Sequence, residues 1–226
     1  MHAAILIVKN SWNSFLRSDR SVFLVYAILI VVWSIVLASN MHQLALEANT
    51  LWWVFFSVVI SGNFSSTAFT AERLTGSLEI VLTSGLSRMG ILVGKLAYVI
   101  LMSVALGMLS YGLGLAWLAL VRDDLPVLIR AMDFANLAAL YMAACFMNAS
   151  CGAWLSVHLA NPRLSHFATL LVLGVIVGVH AVLTASMPVA VSAWILPAAL
   201  LVVGSVFFTL AVKDFSGEKV VQPFTY

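Results

Sequence analysis

FATLLVLGVIVGVHAVLTASMPVAVSAWILPAALLVVGSVFFTLAV, residues Phe167 to Val212, runs for 46 residues without an Asp, Glu, Lys or Arg. One membrane span needs about 20 apolar residues, so the stretch is too long for one span and long enough for two. Pro188 and Pro197 supply the break, because proline removes a backbone donor and disturbs a helix interior. Spans are expected at about 167–186 and 190–212. The residues between them, 184–196, are a candidate re-entrant element, which is allowed where protein covers the exposed backbone.

The same character extends towards the N-terminus. Of 226 residues, 63% are hydrophobic and only 9% are charged, whereas a soluble domain carries roughly a quarter of its residues as charges. The chain therefore reads as an all-α polytopic membrane protein, a single domain over 1–226. Further spans are expected at about 134–157, within 91–121, at about 51–70 and at about 22–38, giving six. The run 91–121 would extend about 46 Å as one helix, beyond a hydrocarbon core of about 30 Å, so it must tilt or project. Trp52 and Trp53 open the second span as interfacial anchors. Residues 2–18 repeat Ile5, Val8, Trp12 and Phe15 at three- and four-residue spacing, which predicts a helix lying in the membrane interface; the alternative is a ragged start to the first span. The apolar run Ala3 to Val8 is too short for a secretory h-region, so the chain is expected to keep its start.

Polar connections separate the spans. They are Ser39 to Thr50 with His42 and Glu47, then the segment 71–90, then Arg122, Asp123, Asp124, Arg130 and Asp133 broken by Pro126. A tight turn with His158, Asn161, Pro162, Arg163 and His166 follows, and finally the tail 213–226. With the N-terminus inside, the inner segments carry Lys9, Arg17, Arg20, Arg73, Arg88, Lys95, Arg163, Lys213 and Lys219, and the outer ones only Arg122 and Arg130. That bias sets both termini in the cytoplasm. The net charge of +2 gives no support to a nucleic-acid partner. Cys145 and Cys151 lie six apart on one helical segment and face different directions, so they read as packing residues and not as a disulfide or a metal site.

The one polar segment built for a reader outside the bilayer is ERLTGSLEIVLTSGLSRMGILVGK, Glu72 to Lys95. Gly76 can cap a short helix and Gly85 can end it. Glu79 then falls at the third helical position, where a carboxylate meets unpaired amides and the positive helix end. Leu78, Val81, Leu82 and Leu86 give an apolar face. So short a helix is marginal in water and needs membrane, the chain's own spans or another subunit to pack on.

Glu72-Arg73, Gly76-Ser77, Glu79, Leu82, Gly85 and Gly94-Lys95 together resemble the permease subunits of class-2 ABC exporters (the ABC-type-2 transporter permease family). The likeness extends to the layout of an interfacial helix, six spans, both ends inside and a break-prone region between spans five and six. The resemblance implies that this loop is a coupling helix docking on a separate cytoplasmic ABC ATPase, with Glu72, Arg73, Gly76, Glu79 and Arg88 facing or shaping the contact. It also implies a bacterial inner-membrane location, a second permease copy or homologous permease beside this chain, and ATP and magnesium bound by the partner. The family usually carries proline where this chain has Gly85.

The chain carries no P-loop of its own, since G-x-x-x-x-G-K-[ST] is needed to wrap phosphates in backbone amides. The nearest match, Gly90-Ile91-Leu92-Val93-Gly94-Lys95-Leu96, is one residue short and lacks the hydroxyl. It reads instead as a close-packing start to the third span, with Lys95 at headgroup depth. No cofactor or metal is expected on the chain, and it is not expected to be an enzyme.

Other polar residues have two readings each. Ser57, Ser61, Gly62, Ser65 and Ser66 form a small-residue stripe, read first as close helix packing and second as the lining of a substrate path or dimer seam. His180 lies well inside the fifth span and belongs either to the transport path or to an internal hydrogen bond. Gly174 and Gly178 form a G-x-x-x-G pair. No acidic or basic side chain is expected within a span, which disfavours an ion-driven relay. Asn148-Ala-Ser150-Cys151-Gly152 with His180 loosely resembles the nucleophile and base of six-span intramembrane serine proteases, so Ser150/His180 are the rival pair; a non-transporting scaffold is the other rival. The expected function is the membrane half of an ATP-driven exporter, forming the path as a dimer in lipid, with hydrophobic or amphipathic cargo.

Overall fold

Where the sequence has an apolar run it forms a helix, and most helices continue past the apolar limits. The computed structural model describes residues 2–17, 20–43, 46–74, 77–83, 85–121, 134–159, 161–184 and 189–216. Among the described residues there are helices and turns and no strand. Gly76, the loop 122–133, Pro188 and the tail beyond 216 lie outside the described residues, as do the side chains of His42, Glu47, Trp52, Trp53, Ser66 and Glu79.

The order is α1 (His2–Leu16), α2 (Arg20–Gln43) and α3 (Leu46–Ser65), which continues through a π-helical segment (Ser66–Ala71) and a last turn (Glu72–Leu74). Then follow α4 (Ser77–Thr83), α5 (Arg88–Val121), α6 (Phe134–His158), α7 (Pro162–Thr184) and α8 (Val189–Ser216). Among the described residues, four helices are long and apolar enough to cross a membrane: Arg88–Val121, Phe134–His158, Arg163–Leu183 and Ala193–Phe215. Phe23–Val36 and Val54–Thr70 are shorter apolar helical runs. At 34 residues, α5 is one helix of about 51 Å, as its unbroken apolar run requires.

Several boundaries move. The polar stretch Ser39 to Thr50 is mostly helical, because α2 extends to Gln43 and α3 begins at Leu46. The expected turn 158–166 shrinks, since Pro162 opens α7. Proline lacks only a donor that the first helical position does not use, and the Asn161 side chain accepts the Arg163 N–H at 2.9 Å as an N-cap. Of the candidate re-entrant stretch 184–196, residues 185–188 lie outside the described residues; 189–196 are the first turns of α8, the span expected at about 190–212, and Pro197 lies inside that helix. Proline leaves the carbonyl four residues earlier without its helical donor. That carbonyl belongs to Ala193, and Asn136 of α6 donates to it at 2.9 Å. The break is thereby repaired by a neighbouring helix.

Helix α6 sits at the centre, lined on most sides by α3, α5 and α8. Its composition explains the position. Ala143, Ala144, Cys145, Ala149, Ser150, Cys151, Gly152 and Ala153 are all buried, and small side chains let neighbouring backbones come close. At Gly152 an added Cβ would collide with the Ser65 hydroxyl of α3. Cys145 and Cys151 are free thiols in two different apolar clusters, in line with their six-residue spacing. Helix α1 packs along α5; a Cβ at Gly94 would meet Ile7 at 2.8 Å. Trp12 is exposed and Ile7 is the buried contact.

Candidate coupling site

The sequence between α3 and α5 builds one end of the bundle. Helix α4 is the predicted short helix, with Glu79 at its third position. Leu78 is buried in the main apolar cluster, and Val81, Leu82 and Leu86 pack against it. The helix thus rests on the chain's own spans, and Ile80, 72% exposed, points away from them. Gly85 follows at φ +78°, the left-handed region that glycine enters without a Cβ penalty. Proline, fixed near −65°, has no access to this turn, which accounts for glycine where the resembled family has proline. Ser87 then starts α5: its hydroxyl accepts the Gly90 N–H at 3.2 Å and its carbonyl accepts the Ile91 N–H at 3.0 Å.

The charged residues at the mouth of α3 turn inward. Glu72 pairs with Lys95 of α5. Lys95 is only 2% exposed, and its ammonium also donates to the Ala68 carbonyl at 2.7 Å and lies 5.8 Å from the centre of the Phe69 ring. Lys95, expected at headgroup depth, thus turns its ammonium inward to the chain's own helices. Its stem has no outward path, and the inward side offers a carboxylate, a carbonyl and an aromatic face. Ala68 and Phe69 belong to the π-helical segment. In a regular α-helix the Glu72 N–H would bond to the Ala68 carbonyl; here it bonds to the Phe69 carbonyl, and Lys95 takes the Ala68 oxygen. The partial P-loop match also resolves: Gly90 and Gly94 are helical, so their amides form no phosphate cradle.

Arg73 turns to the other side. Its guanidinium donates to the carbonyls of Ser156 at 3.0 Å and Val157 at 2.6 Å. These are among the last carbonyls of α6, which lack helical donors and carry the negative helix end. Consecutive residues of opposite charge thus fasten α3 to α5 and to α6. A third tie lies alongside: Trp154 Nε1 donates to Asp214 of α8 at 3.0 Å, and His158 Nε2 is 3.5 Å from the same oxygen. Arg88 is exposed at the first position of α5. Of the five coupling candidates, Glu72 and Arg73 lie side by side in this network, Glu79 and Arg88 flank it on backbone position, and Gly76 is outside the described residues.

The serine stripe is an internal contact of this chain. Ser57, Ser61 and Ser65 are all at most 1% exposed. The Ser57 hydroxyl donates to the Val54 carbonyl at 2.7 Å and that of Ser61 to the Ser57 carbonyl, and Ser65 abuts Gly152. His180 lies on α7, half-buried. Of the rival pair, the Ser150 hydroxyl is buried and makes no hydrogen bond. Ser150 lies eight residues before the end of α6 and His180 eighteen after the start of the adjoining α7, so the two stand roughly 15 Å apart along the bundle.

Sequence reading missed Lys95 as the partner of Glu72, Asn136 as the donor that repairs Pro197, and the Asp214 tie. No protein-family model matches the chain, and no curated protein matches it.

Proposed function

We propose that the chain is the permease subunit of an ATP-driven exporter, energised by separate ATPase subunits that dock on α4. In this reading α2 and α3 are the first two of six spans, at 24 and 20 residues or about 36 and 30 Å. Both termini face the cytoplasm of a bacterial inner membrane, and a second permease copy completes the path. The observation that carries it is the mounting of α4. A helix of seven residues is held by buried Leu78, stopped by left-handed Gly85, and flanked by α3 and α5, whose adjoining ends are pinned to each other. Such a helix transmits a push without absorbing it, and its exposed Ile80 faces away from the bundle. The basic residues Arg73, Arg88, Lys95, Arg163 and Lys213 gather at this same end, which supports a cytoplasmic orientation.

The test is isolation of the tagged full chain from its native membrane in mild detergent. An ATPase subunit is expected to co-purify. Glu79→Ala and Ile80→Asp are expected to leave insertion and yield intact while lowering ATP hydrolysis by the complex roughly tenfold, a coupling loss of about 1.4 kcal/mol. A preparation without an ATPase, or hydrolysis unchanged in both variants, overturns the reading.

A further inference from the structure

We propose that Glu72 and Lys95 are positioning residues that hold the π-helical end of α3 in register against α5, so that a displacement of α4 moves both spans as one body. This rests on the exporter reading for the source of the displacement. It rests on the chain's own geometry for everything else.

Three observations converge. The ammonium of a residue 2% exposed is satisfied entirely by one short segment: the Glu72 carboxylate, the Ala68 carbonyl and the Phe69 ring. That segment is the π-helical stretch Ser66–Ala71, which closes with the Glu72 amide bonded three residues back to the Phe69 carbonyl. Lys95 bonds to the Ala68 oxygen inside it, so the ion pair grips the irregular stretch at its end. A π-helical turn inserted in an α-helix has a ready alternative, the regular helix, and whatever holds one form against the other acts as a register lock.

A charged pair at this place needs a reason beyond stability. Well-packed apolar side chains of similar volume do as well as a buried ion pair for stability, or better. Stability alone therefore does not explain a lysine and a glutamate here, whereas a directional, three-partner contact specifies one register. Location points the same way. Helix α4 begins five residues after Glu72, and α5 begins seven residues before Lys95, so the pair lies beside both ends of the loop that carries α4. Arg73 fixes the neighbouring contact with α6, and the pair is a polar fastening between α3 and α5.

The experiment compares the wild-type chain with the Glu72→Met/Lys95→Met double variant, each in lipid nanodiscs with its ATPase, by hydrogen–deuterium exchange. The double variant is used because either single change strands a charge and can fail to fold. Without nucleotide, amides of 68–74 are expected to exchange about tenfold faster in the variant, as local opening becomes easier. With adenylyl imidodiphosphate, wild-type exchange is expected to change together in 66–74 and 91–98, and in the variant on one side only. A merely structural pair leaves the joint response intact. Joint response in the variant, or exchange at 68–74 equal to wild type, overturns the proposal. If the wild-type chain captures no ATPase, the exporter reading falls. The register lock is then decided by the nucleotide-free comparison alone.

Discussion

Helices α6 and α7 are consecutive, joined by a short turn, and built for opposite surroundings. Of the most apolar window in each, 61% of residues are buried in α6 and 11% in α7, although α7 is the more hydropathic of the two. In water that ranking would be reversed. In lipid there is no reward for hiding leucine or valine from a solvent as apolar as they are, so burial goes to the side chains that pack closely or hydrogen-bond. Helix α6 accordingly presents Ala, Ser, Cys, Asn and Gly to its neighbours. Helix α7 turns Leu171, Val175, Val179 and Val182 outward and buries Ser165, Thr169 and Leu173. Greasiness marks the face towards lipid, and small or polar residues mark the interior.

The largest effect expected from this contrast lies in two glycines of the same type. Gly152 of α6 faces the Ser65 hydroxyl with no room for a methyl group, while Gly174 of α7 has nothing within 4 Å of where its Cβ would stand. Gly152→Leu is therefore expected to destabilise the bundle by about 3 kcal/mol, at the upper end for overpacking. Gly174→Leu is expected to stay within about 0.5 kcal/mol. Thermal unfolding of both variants in one detergent measures the difference. Equal midpoints would break the comparison.

The same contrast says why part of this molecule is legible in its sequence. The long helices were readable, because runs such as Phe134–His158 announce themselves by length and apolarity alone. The short helix α4 was readable too, since Leu78, Val81 and Leu82 set its apolar face and Gly85 ends it locally. What was not readable is which helix lies inside. Hydropathy ranks the spans in the wrong order for burial, and the stripe at Ser57, Ser61 and Ser65 becomes decisive only once Gly152 is known to face it. The partner of Lys95 was hidden for a related reason. Lysine near a span end usually reaches for headgroups, and its inward partner lies 23 residues away in sequence, on another helix. Pro197 was read as a break because the donor that repairs it, Asn136, belongs to α6. Local chemistry was legible, and satisfaction from a distant helix was not.

The ends of the two helices sharpen the point at intermediate magnitude. The last carbonyls of α6 are satisfied from afar by Arg73, whereas α7 is capped by its own neighbour, Asn161, on the exposed turn. Asn161→Ala is expected to lose about 1 kcal/mol, and the loss should stay local. Hydrogen exchange would quicken at Arg163 through His166 and remain unchanged in α6. Spreading of the effect into 150–158 would mean that α7 is not the separable helix its exposure suggests.

The smallest effect tests the repair of Pro197 by α6. Asn136→Leu leaves the Ala193 carbonyl without its donor, and hydrogen bonds between membrane helices average about 0.6 kcal/mol in such measurements. The value is small enough to be confused with packing, so it is best read as a coupling. Pro197→Ala restores an N–H that can reach the Ala193 carbonyl within α8, and in that background Asn136→Leu should have little further effect. A double-mutant cycle on thermal unfolding is expected to return about 0.6 kcal/mol of coupling between the two positions. Additive losses would show that Asn136 contributes by filling space. The proline in α8 would then be tolerated without a donor from α6.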